Sequence, residues 1–347
     1  MRITVYRNML KELIYKSVAQ EPLLRYWQKA RLPGRTIVLT YHELAEDQEH
    51  IDAWTVVRKS SFIDQVRYLR QHFNVVSLDD AITRMGKSEE REAPMVVITF
   101  DDGDSGNCRV LLPLIKSMNL PVTIFVATRQ IQEQAVYWFD RLINALQRKE
   151  TINLDLRSRG LGDYVINRRR GAQNWNEIER LLVDLKNMPP DLRIDTVNHI
   201  VHQIGEGAQS GFAQILPLSI QELQELAACP LVTVGAHSHC HNILTQLPDD
   251  EIRGSVIRSK ELLESWTGKA VEYFAYPNGD YDDRVARIVR EAGFKCAVAA
   301  TSRPWRRGDS LFAIPRIGIG RYDSFGRFKI NLIGGINQFL PWKRSPV

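Results

Sequence analysis

The chain has 347 residues, 44% of them hydrophobic and 25% charged, the proportions of a globular protein rather than a disordered or fibrous one. The length admits one large α/β domain with an insertion, or two ordinary domains. A net charge of +5 and a pI near 9.0 suit anionic neighbours, but no nucleic-acid motif accompanies them and a nucleic-acid partner is not expected.

Residues 1–35 form a basic segment of helical pattern, with Arg2, Arg7, Lys11, Lys16, Arg25, Lys29, Arg31 and Arg35 set against Glu12 and Glu21. Charges at Lys11, Glu12 and Lys16 interrupt its apolar runs. Neither a signal-peptide core nor a membrane-spanning segment of about 18 residues is therefore expected. Cytoplasmic residence, with peripheral contact at the inner membrane, is the expectation. The tail from Ser324 interleaves Arg327, Lys329, Lys343 and Arg344 with Phe325, Phe328, Leu332, Phe339 and Trp342. Such basic, apolar ends either lie on an anionic membrane surface or pack as terminal helices on the domain. Cys108, Cys229, Cys240 and Cys296 are widely spaced, which indicates neither a disulfide framework nor a thiolate metal site.

Short apolar, β-rich runs recur along the middle of the chain. Thr36–Tyr41, Met95–Phe100, Val122–Val126, Leu231–Val234, Val271–Tyr276, Cys296–Ala299 and Phe312–Ile317 read as buried strands. Helical patterns fill the gaps at Ser61–His72, Leu78–Met85, Ser105–Met118, Ser219–Ala228, Asp249–Trp266 and Asp282–Ala292. Ser219 and Glu222 have capping-box spacing, and Gly293 sits where a helix-ending glycine belongs. Alternation of this kind predicts a mostly parallel sheet, as a barrel or a doubly wound layer. It fails over residues 132–218, which open with an amphipathic run from Val136 and include Arg168–Arg170, a second helical run over Trp175–Leu185, and Pro189–Pro190. This stretch reads as a helical insertion lying near the site, within a domain spanning 36–320 and followed by a basic, aromatic tail at 321–347.

Two segments carry chemistry. The strand Met95–Phe100 ends in Asp101, Asp102 and Gly103, at the end of a strand where α/β enzymes place their sites. One carboxylate can bind a metal while its neighbour faces a reactive water, although Asp-Gly is also a common turn and Asp102 or Asp104 could cap a helix. After Leu231–Val234 come His237, His239 and His241, three of the eight histidines within five residues. One helical turn would put His237 and His241 on a common face. Two imidazoles and a carboxylate leave an open position for water, and suit Zn²⁺, Co²⁺ or Ni²⁺. A surface histidine cluster is the alternative, and His239 reads as a supporting residue.

Thr99–Gly103 (TFDDG), His237–His241 (HSHCH) and Phe274–Gly279 (FAYPNG) resemble, in order, the first three motifs of the NodB-homology polysaccharide deacetylases, carbohydrate esterase family four. Leu39–Glu43 (LTYHE) looks like the opening strand of many members, and the likeness covers roughly residues 36–320. It implies an irregular (β/α) barrel of about seven strands. It also implies a divalent metal, zinc first, held by Asp102, His237 and His241, and Asp101 as the base that deprotonates the attacking water. Asn278 falls where a backbone N–H serves the oxyanion, with Tyr276 and Pro277 lining the groove beside it.

Two departures from the family pattern stand out. The third motif usually begins with an arginine that pairs with the catalytic aspartate, whereas Ala275 stands here; Arg316, leaving a late strand, could bring that charge from another direction. No histidine follows His241, so the late histidine that commonly protonates the leaving amine is absent. Asp101 would then make both proton transfers, or His42, ending the first strand, would donate. The expected activity is removal of N-acetyl groups from a glycan or a lipid-linked amino sugar made at the cytoplasmic membrane face, as in envelope polysaccharide synthesis. O-acetyl hydrolysis on a carbohydrate, and a weakened glycan-binding member, are the competing readings.

Overall fold

A computed structural model describes residues 21–51, 53–86, 94–205 and 213–335. Eight strands wrap into a nearly closed barrel: β1 (Arg35–Tyr41), β2 (Met95–Phe100), β3 (Val122–Val126), β4 (Val232–Ala236), β5 (Tyr273–Ala275), β6 (Cys296–Ala299), β7 (Ile314–Pro315) and β8 (Ile317–Gly318). Neighbours pair in parallel from β1 through β7. β8 then pairs in parallel with β1, through Leu39 with Ile317 and Thr40 with Gly318. The segment 314–318 therefore begins on one edge of the sheet and ends on the other. The change falls at Arg316, whose N–H still donates to the Ala299 carbonyl at 2.8 Å. Counted as one crossing, β7 and β8 make the seventh stave expected from the sequence.

Side chains on a strand alternate between faces, and that period sorts the apolar residues into two cores. Ile37, Leu39, Val96, Ile98, Ile124, Val234, Phe274 and Ala297 belong to the layer under the surrounding helices. Val38, Val97, Phe125, Ala275, Val298 and Ile314 fill the barrel's interior. The covering helices form close to where the periodicity places them, at Lys59–His72, Ile220–Ala228, Asp249–Thr267 and Asp283–Glu291. Ser219 and Glu222 make the reciprocal capping box. Asp282 caps its helix by accepting from the Val285 N–H at 2.8 Å. The expected helix over Ser105–Met118 starts instead with a π-helical turn at Asn107–Leu111.

The insertion between β3 and β4 packs on a core of its own, which includes Leu142, Leu146, Ile178, Leu181, Leu185, Val197 and Ile200. Three amphipathic helices build it: α1 (Trp138–Leu146), α2 (Ala172–Lys186) and α3 (Pro190–Ile204). It is not wholly helical, because Thr151–Asp155 and Asp163–Asn167 pair antiparallel. Ile152, Leu154, Tyr164 and Ile166 alternate inward from solvent-facing neighbours, a period of two that the polar neighbours mask in the sequence.

The basic start falls partly outside the described residues, but Glu21–Arg31 is helical. At the other end Ser324 caps the helix Phe325–Leu332, which buries Phe328 and Leu332. Residues 1–20 and 336–347, with Phe339, Trp342, Lys343 and Arg344, lie outside the described residues. Among the described residues no helix is long and apolar enough to cross a membrane, and the four cysteines are free.

Gly235 on β4 marks a close internal approach that bears on the site. A Cβ there would lie 2.5 Å from the Phe125 ring and 3.0 Å from the Tyr273 carbonyl oxygen, and the same ring faces the Arg316 guanidinium. Gly235→Ala should therefore overpack the barrel and cost about 1–3 kcal/mol of stability, measured as a fall in the denaturation midpoint with an unchanged slope.

Candidate metal centre

The alternation that fills the barrel also delivers its polar mouth. Continuing the inward sets one step beyond Val38–Thr40, Val97–Thr99 and Ile314 reaches His42, Asp101 and Arg316, while His237 follows directly on β4. All four line one cavity of about 470 Å³ with Asp102 and His241. Asp102 has the outward parity and returns to the cavity because it adopts φ +73°, followed by Gly103 at +88°. The turn is pinned from three sides. The Asp101 N–H donates to the Tyr41 carbonyl at 2.9 Å, while the Ala127 N–H and the Gln130 side-chain amide donate to the Asp102 carbonyl at 3.2 and 2.8 Å.

His237 and His241 converge by a different route from the helical turn expected. The chain leaving β4 is irregular, with positive φ at Ser238 (+63°) and His241 (+54°). Ser238 accepts from the His241 N–H at 3.1 Å. The Nε2 atoms of His237 and His241 lie 3.4 and 3.0 Å from Asp102 Oδ1, and potential ligand atoms from the three residues cluster within 4.8 Å. Left-handed φ at Asp102, Ser238, His241 and Asn278 concentrates backbone strain at one end of the barrel, as functional sites often do.

The donor set suits a cation. His237 Nδ1 is 2.8 Å from the Ala275 carbonyl, which can only accept, so Nδ1 carries the proton and neutral His237 turns a lone pair toward Asp102. Asp102 Oδ1 is buried without a hydrogen-bond donor of good geometry. In the tautomers that ligate a metal, the three residues turn lone pairs toward one another in a buried pocket, and these repel unless a cation or protons intervene. The two imidazoles outweigh burial and hold the Asp102 carboxyl well below its usual range. For His237, burial is outweighed by Asp101 and Asp102, and the pKa rises.

Asp101 is gripped from across the barrel. Arg316 donates from Nη1 and Nη2 to Asp101 Oδ1 and Oδ2 at 2.6 and 2.7 Å, and from Nη1 to Thr99 Oγ1 at 3.1 Å. Burial alone would raise the Asp101 pKa, but the guanidinium holds it below the ordinary value. Ala275, in the position that carries arginine in the family motif, is fully buried. The arginine here thus reaches the aspartate from the barrel's closing segment.

Other anticipated residues divide. His42 lines the cavity with its Nδ1 buried and unpartnered. Burial lowers its pKa, opposed by Asp102 and Asp101. Asn278 lines the cavity too, its Oδ1 accepting from Lys186 Nζ at 2.7 Å. Tyr276 does not line the groove. It shares the outward parity of Phe274, packs in the helix-facing core, stacks on Tyr281 and donates its hydroxyl to the Phe312 carbonyl at 2.9 Å. Pro277 is buried beside it, outside the cavity wall. His239 is held by Thr128 at 2.8 Å and takes no part in that wall.

The rest of the wall comes from residues without a local motif. Trp54 sits edge-on to His42, and Gly320 makes room for it, since a Cβ there would come within 2.1 Å of the indole. The insertion supplies Trp138, Phe139, Trp175, Lys186 and Arg193. The ring of Phe139 lies 5.3 Å from that of His241. Behind Asp102, burial pushes Glu43 up to about 8 and Asp104 and Asp140 well above the usual range, each reinforced by neighbouring carboxylates. Burial thus disfavours negative charge on all three beside the triad.

A sequence model of the polysaccharide deacetylases matches residues 88–181 and 192–297. No curated protein matches the chain. Among solved structures, the deacetylase PplD of Streptococcus pyogenes, in complex with acetate, superposes with a TM-score of 0.55 at 16% identity, covering 84% of this chain and 95% of that one. IcaB from Ammonifex degensii gives 0.53 at 18% identity over 87% and 97%. A de-N-acetylase from Aggregatibacter actinomycetemcomitans gives 0.53 at 15% over 86% and 99%. At these identities the likeness speaks for the fold, and the family follows from the sequence match, which spans more than half of the chain and takes in Asp101, Asp102, His237 and His241: the chain belongs to the polysaccharide deacetylase family.

Proposed function

We propose that the chain hydrolyses N-acetyl groups from an amino sugar, in a glycan or linked to a lipid, using a divalent metal for which zinc is the best fit. The observation that carries this reading is the triad Asp102, His237 and His241 beside an aspartate locked by Arg316. The N-acetyl substrate is supported by the family and by the fold shared with a de-N-acetylase.

When bound, the ion acidifies a coordinated water toward about pKa 7 and polarises the acyl carbonyl. The protein's own groups do the remaining work. Asp101, kept ionised and oriented by Arg316, accepts the proton of the attacking water. The backbone N–H of Asn278 supplies the second contact to the developing oxyanion, worth on the order of a few kcal/mol. Tyr276 and Pro277 support that turn from beneath. An amine departs only once protonated, and His42, on the same inward face, donates that proton. The absence of a histidine after His241 favours one second reading, hydrolysis of an O-acetyl ester, whose alcohol leaves with less help from an acid. Cytoplasmic residence and peripheral contact with the inner membrane belong to the same proposal, supported only by the basic, apolar ends of the sequence.

Acetate release from N-acetylglucosamine oligomers should disappear on chelation and return with Zn²⁺, Co²⁺ or Ni²⁺, and Asp102→Asn should abolish both metal binding and release. Glycan binding by a metal-loaded protein that frees no acetate would favour the binding-protein reading instead. Arg316→Ala leaves burial as the main influence on Asp101, so its pKa rises. The base is then lost at a higher pH, and the acidic limb of kcat/KM should move upward with a lower plateau; full activity with an unmoved limb would remove Arg316 from the mechanism. His42→Gln should lower kcat on an acetamide by roughly 10²-fold or more and on a matched acetate ester far less. Equal losses on both would show that His42 is not the acid.

A further inference from the structure

Arg193, near the start of α3, is 9% exposed and lines the cavity that holds the metal triad. Its side chain has no carboxylate partner and no hydrogen bond among the described residues, and its Nε is buried without an acceptor. The Trp138 ring lies 5.2 Å from its guanidinium carbon. A ring offers a cation about 0.5–2 kcal/mol, less than the several kcal/mol that burying an unpaired ion costs. Stability alone does not explain an arginine here, because an apolar residue would serve the insertion's core better.

A second cation shares the wall. Lys186 at the end of α2 lines the same cavity and spends one donor on Asn278 Oδ1 at 2.7 Å. Burial lowers its pKa, opposed by Asp280, Asp102 and Glu179 and reinforced by Arg193, so its charge interacts with the metal triad and with Arg193 alike. Glu179, two turns earlier on α2, also reaches the cavity, from an exposed position on the side of Lys186. The aromatic faces of Trp138 and Trp175 flank this part of the wall.

We infer that the cavity receives an acylated sugar carrying an oxyanion, a phosphate or a carboxylate, which Arg193 binds with Lys186 as the second cation. Guanidinium groups take both anions through paired N–H donors, and burial strengthens the contact by excluding water. This deepens the deacetylase reading by assigning a charge to its substrate, and it rests on that reading only in placing the anion and the acyl group on one molecule. The anion would lie on the insertion side of the metal, with the acyl group beside Asp101.

Binding of sugars without an acyl group separates the two claims. Glucose 1-phosphate, glucuronate and neutral methyl glucoside are titrated calorimetrically into the full-length protein, with and without Zn²⁺. At least one anionic sugar should bind ten-fold or more tightly than methyl glucoside, and the better of the two identifies phosphate or carboxylate as the group recognised. Arg193→Met should erase that preference, and Lys186→Met should weaken it several-fold, with a ligand-free Tm at or above wild type showing that each variant folds. Equal affinity of the wild type for charged and neutral sugars, or an unchanged preference in Arg193→Met, would overturn the inference. The wild-type comparison decides by itself should a variant fail to fold. An Arg193-dependent preference in a protein that releases no acetate would leave this inference standing and remove the deacetylase reading.

Discussion

Arg316 and Asp101 meet where burying either charge alone would be costly. Both are almost fully buried, and their paired contact at 2.6 and 2.7 Å joins the closing segment of the barrel to the end of β2. Removing one partner from such a pair leaves an uncompensated buried charge, at a cost of about 3–5 kcal/mol. The pair also settles a chemical question, because burial would otherwise protonate the aspartate. The metal triad, the cavity and the turn after β2 are arranged around a carboxylate whose charge depends on a residue 215 positions further along the chain.

The cavity above this pair has two authors. The barrel provides the ionisable groups, positioned by strand parity and by a few left-handed residues. The insertion provides aromatic rings and two cations on helices that pack on a separate apolar core. Asp102, His237 and His241 are thus fixed by the strand ends, while Trp138, Trp175, Lys186 and Arg193 are held by the insertion. That division matters because function is decided by the site rather than by the fold.

Much of this was legible in the sequence. Unbroken apolar, β-rich runs leading into Asp101–Asp102 and His237–His241 located the strands and the candidate ligands, because strands buried on both faces read as continuous apolar stretches. Arg316 could be singled out because Ala275 left a charge missing and only one late strand end offered a replacement. The path between His237 and His241 was misread as a helical turn; i, i+4 spacing describes many conformations, and here Ser238 and His241 adopt positive φ. Tyr276 was placed in the groove against its own parity, since Phe274 and Tyr276 share the face turned to the helices. The hairpin in the insertion was hidden by its polar, solvent-facing half. Trp54, Lys186 and Arg193 carried no local signal, for their place in the wall depends on how the insertion and the loop after β1 fold back over the barrel.

The crossing at Arg316 has a further consequence. The barrel is closed by very short ladders, two residue pairs to β6 and two to β1, and the residue between them is the one that grips Asp101. Any fluctuation that parts this seam withdraws the guanidinium from Asp101 in the same movement. Breathing of the barrel and release of the Asp101 carboxylate are therefore one event, and the rigidity of the seam sets how long that carboxylate keeps its partner.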